Sequence, residues 1–275
     1  MDVDPAKLAS HVEDTTHGHH YFHLPCDVKL AIPQPLEPLG IEITKFMVLE
    51  LVAAVLMILI FIPVSRRIVS GRPPRGRFWN LFEAMILFVR DEMVRPAIGR
   101  PMADRFMPFI LTMFFFILFC NLLGMIPWAG SPTGSISVTA ALAVIAFCVV
   151  LGAGMMRYGP VKFWTGLVPH MDLPLVLAIF LKPMILAIEI MGLLIKHTIL
   201  AVRLLANMFA GHLVLAVILG FIAASAGSGL WYGVMPASVL GATALSMLEL
   251  FVAFLQAYIF AFLTALFIGM AVHQH

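Results

Sequence analysis

Charge is scarce in this chain, and so are cysteines. Charged side chains make up 12% of the 275 residues and hydrophobic ones 61%, with a mean hydropathy of +1.01. A soluble domain of this length cannot bury so much apolar surface, so the water-soluble classes are excluded. The three cysteines, Cys26, Cys120 and Cys148, form neither a disulfide framework nor a CxxC metal motif and read as small fillers. There is no HExxH and no P-loop, and Ser137, Ser238 and Ser246 stand without a plausible base. An intramembrane hydrolase and a nucleotide site of its own are therefore not expected, nor is a metal, a cofactor or a nucleic-acid partner. The first 40 residues lack both a basic start and an apolar stretch, so no cleavable signal peptide is expected. His17, His19, His20 and His23 in that tail have no metal-site spacing and read as solvated.

What the chain does have is apolar runs longer than the roughly 18–20 residues that cross a bilayer. The spans read as about 41–65, 106–126, 136–156, 173–224 and 233–272. Pro63 followed by Ser65, Arg66 and Arg67 is expected to end the first, and Pro127 the second. Between them, Phe78, Leu81, Phe82, Met85, Val89 and Met93 recur at helical spacing opposite Glu83, Arg90, Asp91 and Glu92. This predicts an amphipathic helix over about 78–95 lying in the membrane interface.

Asp172 before Leu173 and Pro174 is a helix-start signal. From there to about residue 224 the chain barely leaves the apolar alphabet, with Pro183 expected to kink it. Either a tight hairpin of two vertical spans or one long helix fits the length. A hairpin needs turn residues near its middle, and Ile195 to Ala206 has none. A continuous helix of some 40 residues is about 60 Å long and must lean about 60° to fit a core of ~30 Å. The last span poses the same problem. The expected fold is an all-α integral membrane protein with five membrane crossings. Two of them are long, strongly tilted helices forming an αα-hairpin joined at Ser225 to Tyr232, and an interfacial amphipathic helix is added. Residues 1–40 are an extracytoplasmic tail and 41–275 a single transmembrane domain.

Nine of the 17 Lys and Arg fall between residues 66 and 105, and two more at 157 and 162. The loops at 127–135 and 224–232 carry none. The positive-inside rule puts the basic loops in the cytoplasm, with the N-terminus outside (periplasmic) and the C-terminus cytoplasmic.

Within the long span Lys182, Glu189, Lys196 and Arg203 lie seven residues apart. Seven residues are nearly two turns, so the four form one stripe. Each ionisable group at membrane depth costs roughly 2.5–3.5 kcal/mol on insertion scales, which makes ion movement the leading reading. Arg203 is the most informative of them, because a guanidinium keeps its proton. An internal salt bridge to Glu189 or Glu249 is the bland alternative, and a bridge alone is a poor source of stability. Asn207 and His212 follow on the same helix, and Glu249 and Gln256, again seven apart, share a face of the last one. Groups able to take and release protons, interrupted by a fixed cation, are what transfer without leakage requires.

The segment RLLANMFAGH, with Glu189 fourteen residues before its arginine and LELFVAFLQAYIFAFLTALF after it, resembles subunit a of the F-type ATP synthase. Asn121 and Pro127 at the end of the second span fit as well, while the N-terminal tail matches loosely. The resemblance implies a proton-translocating stator subunit, not catalytic alone, in a bacterial inner membrane. Its partners would be a c-subunit ring, b-type peripheral stalk subunits, other synthase subunits and membrane lipid. Arg203 matches the essential arginine that meets the ring carboxylates. Asn207, His212, Glu249 and Gln256 match positions of the half-channel open to the outside. Glu189 matches the acid of the cytoplasmic half-channel, with Lys196 and His197 nearby; Asn121 and His170 are weaker candidates. In many bacterial members an acid stands nine residues after the arginine and a histidine seven before the glutamine. Here His212 and Glu249 exchange those places, a pattern resembling mitochondrial members. A rival of another class, an ion-coupled secondary transporter, would show internal repeats and broken helices in matching halves, and the sequence has neither.

Overall fold

The structure is a computed structural model that describes residues 21–24, 28–31, 44–69, 76–126, 130–167 and 175–273. In the tail, Tyr21–Leu24 (β1) and Val28–Ala31 (β2) pair antiparallel, with Tyr21 opposite Ala31. This short hairpin was not expected of a tail read as solvated. Its signal is the aromatic and β-branched content of YFHL and VKLA on either side of a three-residue connection. The histidine cluster and Asp172 lie outside the residues whose side chains are described.

The rest is helical: α1 Lys45–Val69, α2 Arg77–Phe88, α3 Arg95–Ile98, α4 Arg100–Gly124, α5 Ile136–Tyr158, α6 Pro160–Gly166, α7 Leu175–Ser225 and α8 Trp231–Val272. Five of these are long and apolar enough to cross a membrane, among the described residues. The first candidate span ends at Arg66, within the basic run expected to close it, although the helix itself carries through Pro63 and on to Val69. The lost backbone bond is local, and Arg and Ile beyond it are tolerable helix residues. The amphipathic segment is longer than expected, because a π-helical turn over Val89–Val94 joins α2 to α3. On that turn Asp91 accepts from Arg90 (2.9 Å) and Arg95 (2.7 Å). The hydrogen bond from Arg90 holds the Asp91 carboxyl below its ordinary range.

α7 is one helix of 51 residues that runs through Pro183 without a break. The alternative of two vertical spans with a turn inside it is thereby excluded. At 1.5 Å per residue α7 is about 76 Å long and α8, with 42 residues, about 63 Å. Both far exceed a ~30 Å hydrocarbon core. The turn between them uses Gly227, at φ 90°, and Ser228, whose Oγ donates to the Ser225 carbonyl (2.8 Å).

The chain forms two compact units. The first holds the chain through Arg66 with Phe115–Thr139 and Arg203–Ala257. In it Phe61 of α1 packs on Phe115 of α4, with ring centroids 4.4 Å apart. The second holds Arg67–Phe114, Ala140–Val202 and Tyr258–His275. There the end of α8 is clamped: Tyr158 Oη donates to the Val272 carbonyl (2.8 Å), and His273 Nε2 lies 2.9 Å from the Ile98 carbonyl. Gly269 lets the Ala97 carbonyl lie directly on α8, leaving no room for a β-carbon.

Candidate functional site

α7 is apolar enough to be buried all round, yet much of it is bare. In an apolar 18-residue stretch of α7 only 6% of residues are buried within the chain, against 50% for α8. The covered positions, His197, Leu200, Ala201, Leu204 and Met208, recur at helical spacing and form one narrow stripe. Lys182, Glu189 and Lys196 are exposed, and Arg203 is half-buried beside Leu204. Among the described residues Arg203 makes no ion pair, so the salt bridge from Arg203 to Glu189 or Glu249 does not form.

One turn beyond Arg203, Asn207 Nδ2 donates to Gln256 Oε1 of α8 (3.0 Å). Gln256 is 2% exposed while Asn207 is exposed, so losing Asn207 would strand the buried Gln256 amide. Another turn on, Gly211 faces Glu249. A β-carbon at Gly211 would collide with Glu249 Oε1, so the carboxylate rests on bare helix backbone. His212, the next residue, keeps its Nε2 buried with no hydrogen-bond partner among the described residues. The pairs 207–256 and 211–249 follow one antiparallel register, which brings all four outer-path candidates to one stretch of the hairpin.

Asn121, a weaker candidate in the sequence, is wholly buried at the end of α4. Its Nδ2 donates to the Ala253 carbonyl of α8 (3.1 Å), and its Oδ1 accepts from Thr133 (2.6 Å). Thr133 is in turn 2.8 Å from the Ser131 hydroxyl. The side chain at 253 is a methyl group, which allows the close approach. Arg203, Asn207, Gly211, His212, Glu249, Gln256, Asn121, Ser131 and Thr133 all belong to the first unit.

The second unit holds the other group. His197 is 2% exposed, between Phe147 of α5 and Phe267 of α8, with ring centroids 5.2 and 5.1 Å away. Its Nδ1 lies 2.8 Å from the Leu193 carbonyl, which fixes the proton there and leaves Nε2 as an acceptor. That Nε2 is buried with no hydrogen-bond partner among the described residues. Lys196 Nζ lies 5.9 Å from the centre of the same Phe267 ring. Glu189, by contrast, touches neither in any described hydrogen bond or ion pair. His170 lies outside the described residues.

Sequence reasoning passed over Ser131, Thr133 and Gly211. Single hydroxyls in a loop carry no periodic signal, and a lone glycine in a helix is legible only once its neighbour is known.

This is a polytopic membrane protein whose longest helix pair carries ionisable and amide side chains through an apolar interior. The comparisons make the class specific. A sequence model of the ATP synthase A chain family matches residues 47–269. The ATP synthase subunit a of Myxococcus xanthus is 42% identical over 243 residues, covering 86% of this chain and 76% of that protein. That of Chloroherpeton thalassium is 38% identical over 274 residues, covering 98% and 78%. The chain belongs to the ATP synthase subunit a family, the proton-translocating subunits of the synthase membrane sector, which are not catalytic on their own.

Proposed function

We propose that Arg203 is the fixed cation that meets a travelling carboxylate on a ring of c subunits, and that it separates two half-channels. The observation that carries this reading is the exposed flank of α7 beside Arg203, formed by Ile199, Val202, Ala206 and Asn207, around an arginine with no ion partner among the described residues. A permanent charge is costly at membrane depth unless something neutralises it, and a mobile anion on a neighbouring polypeptide does so. At 4 Å and an effective dielectric near 20, a unit pair interacts by about 4 kcal/mol, enough to hold a carboxylate ionised as it passes.

In this mechanism a proton enters from the outside along Asn207, His212, Glu249 and Gln256, with Asn121 bracing the wall. It transfers to a ring carboxylate, whose negative charge is lost, and the neutral site turns into lipid. After nearly a full circuit the site reaches the other side of Arg203, where ionisation is favoured. The proton leaves toward the cytoplasm past Lys196, His197 and Glu189, with His170 a further candidate. The basic segments from Arg66 to Arg105, with Arg157 and Lys162, face the cytoplasm of a bacterial inner membrane. The N-terminus is then outside, the C-terminus inside, and α2 lies in the interface. Besides the ring, b-type stalk subunits hold the stator in place.

The test is Arg203→Ala in the assembled synthase. Membranes bearing it should lose coupled ATP synthesis, and synthesis at wild-type rates would overturn the assignment.

A further inference from the structure

α1 carries one carboxylate, Glu50, in an otherwise apolar run from Phe46 to Val64. It stands six residues into the helix, past the first turn whose free amide groups would stabilise an acid. It is also on the packed side. At 100° per residue Glu50 shares a face with Phe46, Leu49, Ala53 and Val64, all buried. The exposed residues Leu51, Val55, Ile58, Leu59 and Ile62 occupy the opposite face. Glu50 is half-buried, and its Oε1 is shut off from solvent.

The neighbours of that face connect it to the candidate path. Phe46, one turn before Glu50, closes on Gly130, where an added β-carbon would stand 2.9 Å from the phenyl ring. Gly130 leads straight into Ser131 and Thr133, and these hydroxyls run on to Asn121 and so to Ala253, three residues before Gln256. All these residues lie in the first unit.

We propose that Glu50 is an additional proton-carrying group of the outside half-channel, standing at its outer mouth. The carboxylate takes a proton from hydronium at the outer surface, leaving water. It then releases that proton to water of the outside half-channel beside the hydroxyl line of Ser131 and Thr133, which regenerates the carboxylate. Asn121 does not titrate; its amide ties the line to α8. An ionisable side chain at this depth, on the packed face of its helix rather than the face of Leu51, Val55 and Ile58, is suited to that task. The inference rests on the half-channel reading above.

The experiment uses the whole synthase in native membranes and measures proton flux driven by an imposed pH difference. Glu50→Gln keeps the shape and removes the titrating group. Flux should fall about tenfold, in line with the loss of a proton-transfer group, with unchanged subunit content. Glu50→Asp should restore most of it, which a purely structural role for the longer side chain would not do. Wild-type flux in Glu50→Gln overturns the proposal. A second arm places Glu50→Cys in a chain whose Cys26, Cys120 and Cys148 are serine and adds silver ion from the outer side. Glu50→Cys should already show the loss seen in Glu50→Gln, and silver should block the flux that remains; flux at the wild-type level that silver leaves unchanged overturns the proposal. Arg203→Ala is run in parallel and read by coupled ATP synthesis. If it abolishes synthesis while both Glu50 arms are silent, the Glu50 inference fails alone. If Arg203→Ala membranes make ATP at wild-type rates, the half-channel reading itself has failed.

Discussion

Gly211→Ala adds one methyl group to the middle of the longest helix, and the structure says where it goes. The new β-carbon would collide with Glu249 Oε1. Either the carboxylate swings away or α7 and α8 separate. Overpacking of this kind costs about 1–3 kcal/mol. Alanine returns about 0.5–1 kcal/mol of helix propensity, because the backbone at Gly211 is ordinary helix. The net local cost is then about 0–2.5 kcal/mol, centred near 1–1.5, and it falls on the placement of the carboxylate proposed for the outer path. At 1.36 kcal/mol per tenfold, ATP synthesis should drop by about tenfold. The control is Gly241→Ala in α8, where a β-carbon meets nothing within 4 Å. The same chemical change should there be neutral or slightly stabilising. ATP synthesis and ATP-driven proton pumping, normalised to subunit content, read both variants. The reasoning is refuted if Gly211→Ala and Gly241→Ala are indistinguishable, because the contact with Glu249 is the only structural difference invoked.

Two further outcomes follow from the same geometry. Asn207→Leu strands the buried Gln256 amide, so the purified complex should lose about 1–3 kcal/mol locally, and proton flux should fall with it; the exchange Asn207→Gln with Gln256→Asn should recover part of both. Asp91→Asn should do almost nothing at neutral pH. The Asp91 carboxyl is held below its ordinary range, so its contribution is present above that range and lost as pH falls, but the group is fully exposed and screened by salt. Thermal melting of the complex at pH 7 in moderate salt checks this, with an unchanged midpoint expected.

The elements were legible because bilayer length and helix period act on every residue of a span. The 51-residue α7 was foreseen from an absence, the missing turn residues between Ile195 and Ala206, and that absence is a strong constraint in an apolar chain. Element ends were less legible. Pro63 is a local penalty of one hydrogen bond, and a long helix with good formers beyond it absorbs that cost. The π-turn at Val89–Val94 leaves no mark in a pattern of period 3.6. For the site, seven-residue spacing correctly put Glu249 and Gln256 on one helix, and antiparallel pairing then brought them to Gly211 and Asn207. What spacing cannot supply is the partner of a given atom. The link from Asn121 to the Ala253 carbonyl joins residues 132 positions apart, and no local pattern encodes it.

His197 separates packing from proton handling, because its environment makes the two respond oppositely. The ring is held between Phe147 and Phe267, which any aromatic ring of similar size would satisfy. Its Nδ1 is engaged by the Leu193 carbonyl, while its Nε2 is buried with no described hydrogen-bond partner. A stranded acceptor of that kind costs about 1–3 kcal/mol, and a protein selected for stability alone would not keep it. His197→Phe removes the stranded atom and retains the ring. The Leu193 carbonyl keeps its ordinary helical partner, so nothing new is left unsatisfied. The complex should therefore melt at the same temperature or higher, while proton flux toward the cytoplasm falls. Loss of stability together with flux would mean that the imidazole is held for its hydrogen bond to Leu193. Unchanged flux with raised stability would remove His197 from the path and leave Glu189 and Lys196 to carry the exit.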